Sequence, residues 1–210
     1  MSYAVKEMFL TLQGEGMQAG RRAVFVRFAG CNLWSGREQD RAIADCTFCD
    51  TDFVGLDGDG GGRFADADAL ADAAARLWGE ERERAFVVMT GGEPLLQVDP
   101  ALIAALKARG FEIAVETNGT IAAPEGIDWI CVSPKAGTAI VQRSGNELKL
   151  VWPQLGIDVS ELERWDFGHL LVQPMDGPSF AAAQQEAIAF VLRNPRWRLS
   201  TQTHKLLGLR

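Results

Sequence analysis

Three of the four cysteines in the chain are spaced in a way that suits metal chemistry. Fourteen residues separate Cys31 from Cys46, and two separate Cys46 from Cys49. Four cysteines in 210 residues are too few for a disulfide framework, and clustered thiols more often bind metal or catalyse. A Cys-x-x-Cys pair alone is equally typical of half a zinc site, a redox dithiol or part of an iron–sulfur cluster.

The surroundings of the cysteines favour an iron–sulfur cluster over the other two interpretations. Zinc needs a fourth ligand, but His169 and His204 stand far away, and Cys131 lies in an apolar run that predicts a buried small hydrophobe. A redox dithiol is expected directly before a helix, whereas the glycine-rich segment 57–62, a predicted flexible loop, follows here. Three thiolates without a fourth protein ligand suit a [4Fe–4S] cluster that leaves one iron open.

Alternating apolar runs and Ala/Leu-rich segments predict repeated βα units with a mostly parallel sheet. The predicted helices span residues 66–78, 100–109 and 179–193, with Asp66 as an N-cap and Gly110 just past the second helix. The predicted strands span residues 23–29, 85–90, 112–117, 129–133, 147–151, 169–173 and 198–202.

The unusual residues follow the carboxyl ends of these strands. They are Cys31, the run Gly91-Gly92-Glu93, the run Glu116-Thr117-Asn118, the run Ser133-Pro134-Lys135, and Gln173. Loops at that edge of a parallel sheet converge, so one site is expected there. A complete eight-stranded barrel takes about 250 residues, so a chain of 210 predicts one α/β domain over residues 1–210, folded as a shortened, open (β/α) barrel.

Composition excludes several classes of function. The formal charge of −7 and a sequence pI near 4.9 argue against binding to nucleic acid. No segment has the roughly 20 apolar residues of a membrane span, and residues 1–10 lack the pattern of a secretory signal. A cytoplasmic protein without membrane contact is expected.

Two motifs resemble the radical S-adenosylmethionine (radical SAM) family. Cys46-Thr47-Phe48-Cys49 is similar to the second half of its cluster loop, although residues 32–45 are inserted in the first half. Met89-Thr90-Gly91-Gly92-Glu93-Pro94 closes a predicted strand as the family's Gly-Gly-Glu segment does, where glycines let backbone acceptors approach the amino group of the cofactor. The resemblance implies a barrel of the radical SAM type.

Further segments make the chain resemble the 7-carboxy-7-deazaguanine synthase family nearly end to end. They are residues 7–16, 25–33, 49–51, 116–120 and 133–135. A subgroup of that family carries a long insertion between the first two cysteines. The resemblance implies a lyase that converts 6-carboxy-5,6,7,8-tetrahydropterin to 7-carboxy-7-deazaguanine with loss of ammonia, a step toward queuosine. It also implies a homodimer, magnesium, an electron donor such as flavodoxin, and S-adenosylmethionine that is regenerated.

The resemblance also implies the site residues. Cys31, Cys46 and Cys49 would hold the cluster, and Thr51 would contact magnesium, while the radical itself arises on the cofactor. The substrate would contact Leu12, Gln13, Gly14, Arg27, Thr90 and the terminal carboxylate of Arg210. The expected cofactor-binding set is Phe48, Cys49, Asp50, Gly92, Glu116, Ser133, Pro134, Lys135, Gln173, Pro174, Met175 and Asp176.

Plainer interpretations exist for several of these residues. Taken alone, Arg27 suits a core ion pair as well as a ligand contact. Glu15 and Glu93 are typical of solvated charges, and Thr51 with its flanking aspartates is typical of a turn cap. Two other functions also compete: a radical SAM activating enzyme that acts on a protein glycine, and a zinc-stabilised binding module.

Overall fold

The computed structural model describes residues 1–209, and the strands of these residues form one sheet. The strands are β1 (Tyr3–Leu12), β2 (Arg22–Phe28), β3 (Gly62–Phe64), β4 (Phe86–Gly91), β5 (Glu112–Thr117), β6 (Trp129–Val132), β7 (Ser144–Trp152), β8 (Asp166–Pro174) and β9 (Trp197–Leu199). Their order is β3-β1-β2-β4-β5-β6-β7-β8-β9, which leaves β3 and β9 as edges. β1 pairs antiparallel with both of its neighbours, and every later pair from β2 to β9 is parallel. The predicted open, mostly parallel α/β architecture is therefore confirmed.

Three helices of the described chain are long enough to cover the sheet. They are α1 (Ala67–Trp78), α2 (Pro100–Ala108) and α4 (Phe180–Arg193), whereas α3 (Val159–Leu162) and α5 (Thr203–Leu206) are single turns. Asp66 caps α1 by accepting the N–H of Ala69, which confirms the predicted N-cap. Asp99 caps α2 in the same way through the N–H of Leu102. Within residues 1–209, no helix is long and apolar enough to cross a membrane.

The core lies between the sheet and these helices. Its larger part packs α1 and α2 against β1, β2, β4 and β5, and a second cluster packs α4 against β7, β8 and β9. Residues 86–89 of β4 are wholly buried without alternation, as expected for a parallel strand covered on both faces. This packing fixes the carboxyl ends of the strands relative to one another.

The structure differs from the sequence prediction at the ends of the chain. β1 was not predicted, because Lys6 and Glu7 interrupt its apolar pattern; Lys6 reaches outward to Asp52 and Asp57. The predicted final strand 198–202 is wrong in its second half, since β9 ends at Leu199. The glycine-rich segment, predicted as a flexible loop, is tied to β1 by the bond from Gly58 N to Lys6 O and ends in β3.

Candidate functional site

A cavity of about 330 Å³ opens at the carboxyl ends of the parallel strands. Such a volume lies in the range of small-molecule sites. Most of the predicted site residues line it: Leu12, Gln13, Gly14, Arg27, Cys31, Cys46, Phe48, Cys49, Asp50, Thr51, Thr90, Gly92, Glu116, Ser133, Lys135, Gln173, Pro174 and Asp176. Pro134 and Met175 are not among the described lining residues, and Arg210 lies outside the described residues. The structure therefore brings the predicted residues to one edge of the sheet.

The three spaced cysteines all face this cavity as free thiols. Cys31 follows β2, and its Sγ lies 3.4 Å from the backbone N of Leu33, while Cys49 Sγ lies 3.9 Å from the carbonyl oxygen of Thr51. Burial raises the pKa of the Cys31 and Cys46 thiols. Cys131 is 1% exposed on β6, which confirms its expected role as a buried small hydrophobe.

The arrangement of the thiols fits a cluster better than a single ion. Among residues 1–209, no three His, Cys, Asp or Glu side chains are gathered as one metal ion would require. Cys31, Cys46 and Cys49 nevertheless all line the cavity, and cysteine thiolates are the usual ligands of iron–sulfur clusters.

Gly92 lets the end of β4 approach the cysteine loop. A Cβ atom on Gly92 would stand 2.2 Å from the carbonyl oxygen of Gly30 and 2.6 Å from the Cβ of Cys31. No larger residue fits without moving backbone. The glycine is therefore needed for the geometry that places Cys31 beside the Gly-Gly-Glu segment.

Glu93 is wholly buried, so the interpretation of this residue as a solvated charge is wrong. Its carboxylate accepts the N–H of Leu95 at 2.9 Å, the hydroxyl of Thr117 at 2.8 Å and the N–H of Asn118 at 2.8 Å. Burial raises the pKa of Glu93 even though these bonds oppose the shift. Glu93 thereby fixes the end of β5 to the end of β4.

A buried ion triad, which the sequence analysis did not find, forms the inner wall of the cavity. Lys149 Nζ of β7 lies 2.5 Å from a carboxylate oxygen of Glu15 and 2.5 Å from one of Glu116. Gln13 Nε2 donates to the other oxygen of Glu116 at 2.9 Å. Burial alone would raise the pKa of Glu15 and lower the pKa of Lys149. The attraction between the opposite charges is the stronger effect, so the pKa of Glu15 is lowered and the pKa of Lys149 is raised well above its usual value. Glu15 is therefore not a solvated loop charge.

Arg27 forms an ion pair, as its sequence position allowed, and its side chain also lines the cavity. Its Nε donates to Glu7 Oε1 at 2.8 Å, and both side chains line the cavity. Phe9 and Phe25 stack nearby, with ring centroids 5.8 Å apart, and add an apolar wall. An arginine held in this way presents its remaining N–H groups to a planar or anionic ligand.

The segment after the cysteines is tied to the end of the chain. Asp50 Oδ2 accepts from Lys205 Nζ at 2.7 Å and from Gln202 Nε2 at 3.1 Å. Burial alone would raise the pKa of Asp50, but the contacts with Lys205 and Gln202 outweigh burial, so the pKa of Asp50 is lowered. Asp52 accepts the N–H of Val54, as its expected role in capping a turn requires. Gln202, His204 and Lys205 of the α5 region also line the cavity.

Comparison with known proteins adds three findings. Residues 42–147 match the family model described as the Radical SAM superfamily. The chain is 64% identical to the 7-carboxy-7-deazaguanine synthase of Bradyrhizobium diazoefficiens over 210 residues, covering all of both chains. It is 37% identical to the enzyme of the same name from Bacteroides thetaiotaomicron, again over the whole of both chains.

A solved structure is similar as well. The crystal structure of QueE from Escherichia coli matches with a TM-score of 0.71 and 26% identity, covering 96% of this chain and 94% of that one. The family model begins inside the inserted segment and so leaves Cys31 outside its match.

Proposed function

The chain belongs to the 7-carboxy-7-deazaguanine synthase family of radical SAM enzymes, and we propose that it converts 6-carboxy-5,6,7,8-tetrahydropterin to 7-carboxy-7-deazaguanine with loss of ammonia. The observation that carries the proposal is the cavity at the strand ends, which is lined by three free cysteines, by Gly92 and by the polar residues Gln13, Arg27 and Thr90.

Family membership disfavours both alternatives. An activating enzyme for a protein glycine needs a groove open to a peptide, whereas this cavity of about 330 Å³ has the size of a small-molecule site. A zinc-stabilised binding module needs four grouped ligands, and the described residues provide no such group.

The cofactor side of the cavity is assigned to the cluster and S-adenosylmethionine. When bound, these groups supply a one-electron cleavage that starts the radical reaction. Cys31, Cys46 and Cys49 would hold the cluster, and the carbonyls beside Gly92 would accept from an amino group. Glu116 would accept from the ribose hydroxyls, with its orientation fixed by Gln13 and Lys149. The remaining cofactor contacts proposed are Phe48, Asp50, Ser133, Pro134, Lys135, Gln173, Pro174, Met175 and Asp176.

The substrate side of the cavity is assigned to β1 and β2. Leu12, Gln13 and Gly14 would contact the edge of the pterin, and Arg27 would bind its carboxylate through the N–H groups that Glu7 leaves available. Thr90 would add a hydroxyl. The carboxylate of Arg210 completes the proposed set by resemblance, and the walls of Phe9 and Phe25 would exclude water from the ring.

Magnesium is proposed beside Thr51, which lines the cavity two residues after Cys49. A single neutral hydroxyl suffices for this ion if the substrate carboxylate and water complete an octahedron. The ion would then neutralise the carboxylate and orient the substrate.

Three further properties are proposed from the family resemblance: a homodimer, a flavodoxin-type electron donor and a cytoplasmic location. A reducing compartment suits a cluster held by three thiolates. Light scattering of the anaerobic protein tests the first property, and reduction by a purified flavodoxin tests the second.

The decisive experiment is a turnover assay on anaerobically reconstituted protein. The protein should be brown and contain about four iron atoms per chain. Incubation with reductant, S-adenosylmethionine, magnesium and 6-carboxytetrahydropterin should yield 7-carboxy-7-deazaguanine by mass spectrometry. A parallel reaction with a chelator in place of magnesium should be slower.

Two outcomes would contradict the proposal. One is a colourless protein with about one zinc and no iron per chain. The other is a fully reconstituted, reducible protein that cleaves S-adenosylmethionine but forms none of the deazaguanine.

A further inference from the structure

The segment inserted between the first two cysteines, residues 32–45, contains a side chain that reaches the cysteine loop. Arg41 Nη1 donates to the carbonyl oxygen of Thr47 at 3.0 Å and to that of Cys49 at 3.2 Å. Arg41 lies in a short 3₁₀ turn, Glu38–Ile43, within the insertion. One guanidinium nitrogen therefore joins two carbonyls on either side of Phe48.

Arg41 is itself held from two other directions. Its Nε donates to both carboxylate oxygens of Glu38, at 2.9 and 2.8 Å. Its guanidinium carbon lies 4.0 Å from the ring centroid of Trp34, at cation–π distance. Trp34 is 8% exposed and packs edge-on against the buried Phe53, with centroids 5.6 Å apart. The guanidinium is therefore a fixed group, although it lies near the surface.

The loop that Arg41 contacts has little regular structure of its own. Residues 46–53 form neither helix nor strand in the described chain. The bond from Cys46 N to Leu33 O fixes its start, and the two bonds from Arg41 fix the stretch that carries Cys49. A loop without a ladder of backbone bonds depends on such side-chain bonds for its conformation.

We propose that Arg41 is a positioning residue for the cluster: it holds the Cys46–Cys49 loop in its binding conformation and places a positive charge beside the iron site. The inference rests on the proposed function, because it needs a cluster bound by these cysteines. It assigns a role to the insertion through a residue that holds neither iron nor substrate.

Two substitutions distinguish the positioning of the loop by Arg41 from the effect of its positive charge. Arg41→Lys keeps the positive charge but cannot donate to two carbonyls, pair with Glu38 and stack on Trp34 together. We expect the reduction potential to stay near that of the unchanged protein while a chelator removes iron several-fold faster. Arg41→Gln loses the charge too, so its potential should also shift to more negative values, since reduction adds negative charge to the cluster.

Two further variants test whether the effects come from the charge and the contacts of Arg41. Glu38→Gln keeps Arg41 on the loop but removes its counter-charge, so the potential should shift to less negative values. Arg37→Gln is the matched control, because Arg37 is an exposed arginine of the same insertion and the hydrogen bonds described for it use its backbone. It should leave both iron release and potential unchanged.

The measurements are iron and sulfide content after anaerobic reconstitution, the rate of iron release to a chelator, and the midpoint potential from an EPR-monitored titration. Equal iron release from the unchanged protein, Arg41→Lys and Arg41→Gln would overturn the positioning role, as would an effect of Arg37→Gln of the same size. If Arg41→Gln does not fold, Arg41→Lys and Glu38→Gln decide the question. Failure of the unchanged protein to bind iron at all would instead refute the proposed function.

Discussion

Lys149 is the residue on which the inner wall of the cavity depends. Its side chain is 4% exposed and its ammonium group lies between the carboxylates of Glu15 and Glu116, so the three groups together carry a net charge of −1. Burying two carboxylates side by side costs free energy through desolvation and mutual repulsion, and a cation between them offsets that cost. Lys149 thereby joins β7 to the segment after β1 and to the end of β5.

We expect Lys149→Met to lower the free energy of unfolding by about 3–5 kcal/mol at pH 7, because two buried carboxylates lose their partner. Urea denaturation followed by circular dichroism measures the change. Lys107→Met is the matched control: its pair with Asp128 is over one-third exposed, so its loss should cost at most about 1 kcal/mol. Equal losses in the two variants would contradict the importance given to the triad.

The pH dependence of this loss has a definite sign. The pKa of Glu15 is lower in the folded protein than in the unfolded chain, where it is about 4.3. The contribution of Glu15 to stability is therefore present at pH values above the unfolded pKa, and it is lost as the pH falls through the folded pKa. In Lys149→Met, the burial of Glu15 is no longer opposed by the ammonium group, so this carboxylate should take up a proton more readily. The difference between the two proteins should therefore shrink as pH falls from 7 toward 4, and a constant difference would count against the triad as its cause.

At the scale of elements, the short helix α5 depends on a glycine almost 190 residues earlier in the chain. A Cβ on Gly14 would stand 2.2 Å from His204 Nδ1 and 2.7 Å from its Cβ. The carbonyl oxygen of Gly14 accepts the backbone N–H of Thr203 at 2.9 Å and its hydroxyl at 2.8 Å. Gly14 therefore brings the segment after β1, where substrate contacts are proposed, into direct contact with α5.

We expect Gly14→Ala to displace α5 and to raise the Kd for the pterin about tenfold, which corresponds to roughly 1.4 kcal/mol of binding. Binding of S-adenosylmethionine should change less, since none of its proposed contacts belongs to α5 or to residues 12–14. Calorimetric titration of each ligand separates the two effects. Gly168→Ala within β8 is the control, because its nearest obstacle is the carbonyl oxygen of Asn146 at 3.2 Å. Unchanged pterin binding in Gly14→Ala would refute this account of α5.

The elements that could be predicted from sequence are those with a local signal. The buried apolar runs of β4 and β5 and the capped helix α1 were predicted within one residue of their ends. β1 was not predicted because Lys6 interrupts its apolar pattern. Lys6 is accommodated in this strand by ion pairs with Asp52 and Asp57, which lie some fifty residues later in the chain. Short elements such as β3 and α5 exist through distant partners, which local propensity does not encode.

The same limit applies to the site. The cysteines, Gly92 and Arg27 belong to local motifs, so sequence patterns identified them. Lys149 was predicted only as part of a strand, because the pair that it forms with Glu15 joins residues 134 positions apart. The available signal was the pair Glu147 and Lys149, two charged residues within a predicted strand of a parallel sheet, since charged side chains in such a strand need partners when they are buried.

At the scale of the whole molecule, the sheet is open, so the mouth of the cavity at the carboxyl ends of its strands is held by contacts other than strand pairing. β3 and β9 are the edges of this sheet. At the carboxyl ends of the strands, side chains from distant parts of the chain contact one another. Lys205 Nζ contacts Asp50 of the cysteine loop and Asp176 after β8, each at 2.7 Å. This bridge connects the first quarter of the chain to its end.

Loss of the bridge should loosen the mouth without unfolding the sheet. Lys205 is 40% exposed, so we expect Lys205→Met to change the free energy of unfolding by at most about 1 kcal/mol. Hydrogen exchange measured by mass spectrometry should nevertheless accelerate in residues 46–53 and 202–209, because local opening needs far less free energy than global unfolding. Central strands β4 and β5 should exchange as before.

The control for this prediction removes a pair away from the mouth. Arg143→Gln breaks the exposed contact with Glu161 at 3.5 Å, which lies between the start of β7 and α3. It should leave exchange at residues 46–53 and 202–209 unchanged. If both variants accelerate exchange equally, the mouth is not closed by Lys205. If neither does, backbone bonds such as that from Thr203 N to Gly14 O suffice to hold α5, and the bridge has no closing role.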